Sequence, residues 1–303
     1  MKTHGVRAPL LGVLLTVSVA AGAAPGRMLW GEHGHRISGR AAATNLPTEM
    51  PAFFRDAAAR LEYLNPEPDR WRDSRFAEAD DAYQFDHYID LEIVLEPALS
   101  AANRFEYLEA LMRSGMEDPE QQAGLLPFRI VELYQRLTLG FAQWRATTDS
   151  ATQRYIEERI INDAGILGHY VTDGANPHHT TIHFNGWSAD APNPENYTTD
   201  RTFHRRFESD FVTAQITLRE LTPHVSNWPR PIVDARAEVL AFLRASNARV
   251  QRLYELEKQQ PFEAATTSAE HEGFAIERLV AGIEMLRALW WSAWQASVTV
   301  DER

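Results

Sequence analysis

The stretch "ATQRYIEERIINDAGILGHYVTD", residues 151–173, decides the fold. Ile156, Ile160, Ala164, Leu167 and Val171 recur at three- and four-residue steps, the spacing that lines one face of an α-helix. The same steps run through 48–64 ("TEMPAFFRDAAARLEYL"), 102–116, 127–146, 203–221, 233–258 and 272–298. No alternating run is long enough to argue for a sheet, and no internal repeat, low-complexity tract or dividing linker interrupts the series. Polar stretches rich in Pro and Asn at 65–82, 174–202 and 222–232 read as loops. The segment 185–202 is long for a connection, and long loops in compact domains often carry function. The expectation is an all-α chain, with a single multi-helix domain over residues 30–298.

Bulk properties narrow the setting. The chain has 303 residues and is 44% hydrophobic, enough for a sizeable core. Met1 to Arg7 is short and basic, Leu10 to Ala21 is apolar, and Ala21-Gly22-Ala23 offers a small-x-small cleavage site. This pattern predicts a secretory leader over 1–23, with cleavage as late as residue 29 as the outer limit, and so an exported protein, periplasmic or secreted. The alternative, an N-terminal membrane anchor, needs roughly 20 apolar residues, and the run is shorter than that. No later stretch has that length and apolarity; Leu286 to Ala296 comes nearest and is broken by Arg287, Ser292 and Gln295. There is no cysteine, so an exported chain must be held by its core, by metals, or by both. Any metal ligands then come from His, Asp, Glu and the backbone. The net charge is −12, and removal of residues 1–29, which takes Lys2, Arg7 and Arg27 and no acids, leaves −15. Such a chain has no broad attraction for duplex nucleic acid. Hydrolysis of a phosphodiester at a metal centre is not excluded, because bound cations offset charge locally.

The opening stretch runs on into "HYVTDGANPHH", residues 169–179. His169 and Asp173 are four apart within the helical pattern and project from one face. Pro177 ends the helix, and His178 and His179 follow on the turn. His204 and Glu208 repeat the four-residue spacing on a later helix. Imidazole and carboxylate on one helix face present two metal ligands without backbone strain. Either pair alone has an ordinary explanation as a solvated surface pair. Two such pairs flanking a His-rich turn favour a metal site. "WGEHGHR" (30–36) adds Trp30, His33 and His35, "NPEPDRWRD" (65–73) adds Asp69, and "FDHYIDLE" (85–92) sets His87 among acids. Taken singly, Asp69 reads as a turn acid and His87 as a half-buried histidine bonded to a carbonyl.

In order and spacing these parts resemble the superfamily of zinc-dependent phospholipases C and fungal-type single-strand nucleases, and most of all its bacterial phospholipase C-like members. The resemblance lies in Trp30-Gly-Glu-His-Gly-His35, the Asp69 loop, His87-Tyr-Ile-Asp90, the H-x3-D-x5-H element His169, Asp173 and His179, and the pair His204 and Glu208. It spans residues 30–208, more than half of the chain. It implies an all-helical fold with a tri-zinc cleft. Asp69, His87, His169 and Asp173 would hold one zinc, and His179, His204 and Glu208 a second. Asp173 would bridge to a third, held by His35 and by the amino group and carbonyl of Trp30. The sequence departs from the pattern there. Cleavage after Ala23 leaves "APGRML" ahead of Trp30, and cleavage after Leu29 would set Arg27 and Leu29 where small residues are preferred. Without a free Trp30 amine the third zinc would be weaker, absent, or held in part by His33 or Glu32. His178 and His183 match no ligand position; His178 is expected to be exposed or just behind the ligands, and His183 to line the cleft.

The chemistry implied is attack on phosphorus by a metal-activated water, with Asp69 orienting it and acting as general base. Arg70 or Arg72 would meet phosphate oxygens, and Asp90 would orient His87. "FHRRFESDF" and "HYVTDGANPHH" look closer to the phospholipases, whereas the short spacing from Trp30 to His35 resembles the nucleases. A phospholipid headgroup is therefore the favoured phosphodiester substrate and single-stranded nucleic acid the alternative, with nuclease or nucleotidase activity. A different class, a zinc-stabilised binding protein without activity, stays open. Phe184, Trp187 and Tyr197 suit a base-stacking platform or a lipid rim, although aromatic residues more often simply pack. Trp290, Trp291 and Trp294 are expected to pack the last helix rather than touch a membrane. No protein partner is legible.

Overall fold

The computed structural model describes residues 31–300. The leader expected at 1–23, its late limit at 29, and Trp30 lie outside the described residues. Among the described residues the regular elements are helical, and the β-type pairing is confined to an isolated bridge between Phe184 and Gly186. The chain is all-α.

The elements that position the site are α1 (Glu32–Ala42), α2 (Ala58–Leu64), α3 (Arg104–Arg113), α4 (Leu126–Ala146), α5 (Ser150–Ala175), α6 (residues 203–215), α7 (Ala235–Asn247), α8 (Val250–Gln259) and α9 (Ala269–Ala296). The stretch that opens the sequence argument becomes α5, the axis of the fold. Asp149 caps it by accepting from the Thr152 amide at 2.7 Å. An amphipathic helix keeps one wet face, and α5 loses it from Asp163 onward, where every residue through Thr180 is buried. α1, α2, α4, α7 and α9 all pack against it. The helix stops at Ala175. Asn176 then accepts from the His178 amide and starts a one-turn 3-10 helix, Pro177–Thr180.

Small residues let α2 come close to its neighbours. A Cβ at Gly165 would lie 2.4 Å from Leu64, one at Gly168 2.4 Å from Asn65, and one at Gly39 2.9 Å from the Leu61 carbonyl. Glycine inside a helix costs about 1 kcal/mol against alanine, and the close approach offsets it here. Trp290 is fully buried, meets Phe54 edge-on at 5.3 Å, and donates to the Ala164 carbonyl. Trp291 and Trp294 are buried as well, so this cluster belongs to the packing of α9. No helix among the described residues is long and apolar enough to cross a membrane. Arg287 is also fully buried; its guanidinium donates to the carbonyls of Thr44 and Asn45, just past the end of α1.

Several boundaries differ from the periodicity. α1 falls in a stretch with no expected helix. The 48–64 pattern breaks into Ala52–Arg55 and α2, and the 233–258 pattern breaks into α7 and α8. The 203–221 pattern stops at Gln215, because Thr217 and Glu220 form a capping box that starts a new turn, Leu218–Leu221. The 65–82 loop contains the short helices Glu67–Arg70 and Ala77–Tyr83.

Candidate metal centre

Six segments deliver the side chains. His35 comes from α1, Asp69 from the turn Glu67–Arg70, and His87 from the 3-10 turn Gln84–His87. α5 supplies His169 and Asp173, the turn after it supplies His179, and α6 supplies His204 and Glu208. His169 Nε2 lies 3.2 Å from Asp173 Oδ2, as the four-residue spacing demands. His87 Nδ1 lies 2.9 Å from that same oxygen and 3.0 Å from His169 Nε2, while Asp69 Oδ1 is 3.7 Å from His169 Nε2. Asp173 turns its other oxygen to His35 Nε2 at 3.3 Å, and Asp69 Oδ2 is 3.9 Å from that nitrogen. Both carboxylates therefore offer one oxygen to each of two adjoining groups. In a third group His204 Nε2 is 2.9 Å from Glu208 Oε2, and His179 Nε2 is 3.2 Å from His204 Nε2. α6 is π-helical from Arg206 to Phe211, a winding that often marks functional sites, and it still sets His204 and Glu208 face to face.

The donor set fits metal ions. Two ligand atoms on a tetrahedral ion with bonds of about 2.0–2.1 Å stand about 3.3 Å apart, and the closest donor pairs here fall on either side of that spacing. His35 Nε2, Asp69 Oδ1, Asp173 Oδ1 and Glu208 Oε1 are buried without hydrogen-bond partners, a costly state that a cation would relieve. Three groups are suited to hold an ion: His35, His169 and Asp173; Asp69, His87 and His169; and His179, His204 and Glu208.

The electrostatics agree. Burial opposes ionisation of Asp173, but the imidazoles of His169 and His179 outweigh it and hold the carboxyl well below the usual range. Glu208 goes the other way: burial, and then the charges of Asp173 and Asp69, push it well above. Burial also raises Asp69 against the pull of His169 and His35, and it pushes the His87 imidazole well below its ordinary value. Asp69 is the most open of these residues, with 28% of its side chain exposed.

Other expected roles change. His33 Nε2 donates to the Ile216 carbonyl and Glu32 pairs with Arg36 and Arg70, so neither completes the group around His35. His178 takes the second of its two expected places: it is buried directly behind His204, 4.7 Å between ring centroids, and edge-on against Phe203, Phe207 and Tyr254. His183 stacks on Trp187 at 3.7 Å and accepts from the Ser188 amide, so it braces the loop instead of lining the cleft. Trp187 packs further on Tyr197 and Tyr254, while Phe184 is half-buried in the same loop. Asp90 lies beside Tyr107; the atom facing His87 Nδ1 is Asp173 Oδ2. Arg70 is engaged by Glu67, Glu32 and the Tyr63 carbonyl, whereas Arg72 keeps a buried Nε without a partner and stands 4.0 Å from Asp69.

Two asparagines that the motifs do not specify brace these side chains from behind. Asn176 Nδ2 donates to Glu208 Oε2 at 3.2 Å, and Asn65 Oδ1 accepts from His35 Nδ1 at 3.1 Å. Their only signal is position: Asn65 opens the Asp69 loop and Asn176 lies midway between Asp173 and His179. No protein-family model matches this chain, and no curated protein matches it.

Proposed function

We propose that the protein is an exported zinc-dependent phosphodiesterase that hydrolyses phosphoester bonds in the manner of a phospholipase C. The observation that carries this reading is the meeting of His35, Asp69, His87, His169, Asp173, His179, His204 and Glu208 in three adjoining donor groups. An all nitrogen-and-oxygen set rich in imidazole suits zinc. Zinc, when bound, brings the pKa of water toward neutrality and polarises phosphoryl oxygens. The chain's own residues then divide the work. Asp173 and Asp69 each turn one oxygen to either of two groups, and Asp173 is the fully buried one. Asp69, the open one, orients the attacking water and takes its proton. Arg72, whose Nε lacks a partner, holds a phosphoryl oxygen.

A lipid headgroup is favoured over single-stranded nucleic acid. The 185–202 loop sets Trp187 against His183 and Tyr197 against Tyr254, contacts that favour packing over base stacking there. The test compares purified protein, with its zinc content measured, on a bis-aryl phosphodiester, on phosphatidylcholine vesicles and on single-stranded DNA. Zinc-dependent turnover of the vesicles above the DNA is expected. The reverse order replaces the lipid reading with the nuclease one, and zinc without turnover on any substrate leaves a binding protein.

A further inference from the structure

Asn65 is a fully buried amide that belongs to none of the three donor groups, and its surroundings are costly to build. It directly follows α2 and stands between α1 and α5. Its Nδ2 is buried without a hydrogen-bond partner. Two glycines on different helices clear the space around that atom: a Cβ at Gly168 would come within 2.4 Å of it, and one at Gly39 within 3.0 Å. As packing this is poor, because an apolar side chain of the same shape would leave no orphaned donor. What the amide uniquely supplies is Oδ1, 3.1 Å from His35 Nδ1. The other nitrogen of that ring, Nε2, faces Asp173 and Asp69. An imidazole can present Nε2 to a cation only if its proton sits on Nδ1, and a hydrogen bond from Nδ1 fixes both tautomer and ring direction.

We propose that Asn65 is a positioning residue for the metal centre: it accepts the His35 Nδ1 proton and so keeps His35 Nε2 aimed as a ligand, in a slot that Gly39 and Gly168 keep open. This rests on the metal-centre reading above. Loss of the acceptor loosens the group around His35 and leaves the His179, His204 and Glu208 group untouched, since no hydrogen bond runs from Asn65 to those side chains.

The test uses the full chain and zinc alone. Long-range proton–nitrogen NMR of wild-type protein reads which His35 nitrogen carries a proton, with and without zinc. Chelator competition reads the number and affinity of bound zinc ions in wild type, Asn65→Asp and Asn65→Leu. His35 protonated on Nδ1 is expected in both states. Asn65→Leu weakens one zinc by ~10–100-fold and spares the others, while Asn65→Asp, which keeps an acceptor, restores it. An unprotonated Nδ1 in the wild type overturns the proposal whether or not either variant folds. Unchanged zinc affinities in Asn65→Leu overturn it too, and reduce Asn65 to packing. Wild-type protein that binds no zinc defeats the metal reading instead, and the Nδ1 measurement on the zinc-free chain still decides the role of Asn65.

Discussion

Asp173 and Glu208 are both fully buried, yet their carboxyls are perturbed in opposite directions: for Asp173 the imidazoles of His169 and His179 outweigh burial, whereas for Glu208 burial is reinforced by the charges of Asp173 and Asp69. Asp69 differs from both in reaching solvent. On the proposed function, Asp69→Asn keeps the shape and removes the base, so turnover should fall by about 10²–10⁴-fold while the thermal melting point stays close to wild type. Undiminished turnover would remove Asp69 from its role. The convergence of these side chains was legible because the sequence announces it by spacing: His169 with Asp173, and His204 with Glu208, are one helical turn apart. Asn65 was not, since an asparagine before a proline reads first as a turn residue. Nor did spacing choose between exposure and burial for His178, whose enclosing rings come from positions 203, 207 and 254.

At the scale of the helix, the long apolar-periodic segments read correctly and the interruptions did not. α1 escaped notice because its buried face is Gly34, His35, Ser38 and Gly39 alongside Ile37, Ala41 and Ala42, which shows little apolar periodicity. Its interior is ligand and close contact. The π-helical winding of Arg206–Phe211 leaves no trace in the spacing, since His204 and Glu208 meet in an α-helix as well. The tight fit of α2 carries a paired prediction. Gly168→Ala drives a methyl toward Asn65 and should cost about 1–3 kcal/mol. Gly273→Ala, on the exposed side of α9 with nothing within 4 Å, should instead stabilise by about 1 kcal/mol. Chemical denaturation of the two variants reads both signs; equal effects would mean that crowding at α5 is not what keeps glycine there.

For the molecule as a whole, the chain has no disulfide to staple it, and its two fully buried acids, Asp173 and Glu208, lie in one place. On the proposed metal reading, ions held there would contribute to folding by mass action. Chelation should therefore lower the melting point, by more as free zinc is held further below its dissociation constant, and added zinc should restore it. A melting point indifferent to chelator would mean that the apolar core alone holds the centre in shape. That core runs from α1 to α9, and its largest fully buried side chain, Trp290, packs edge-on against Phe54 and donates to the Ala164 carbonyl.

Unequal access at the two ends of the centre has a kinetic consequence. The side chains of His179, His204 and Glu208 are almost completely shut in, while Asp69 is open to water. An ion beside Asp69 can trade ligands with a chelator directly, whereas one held by Glu208 must wait for α6 to breathe. Stripping should then run in two phases, the fast one following chelator concentration and the slow one set by the protein's own opening rate.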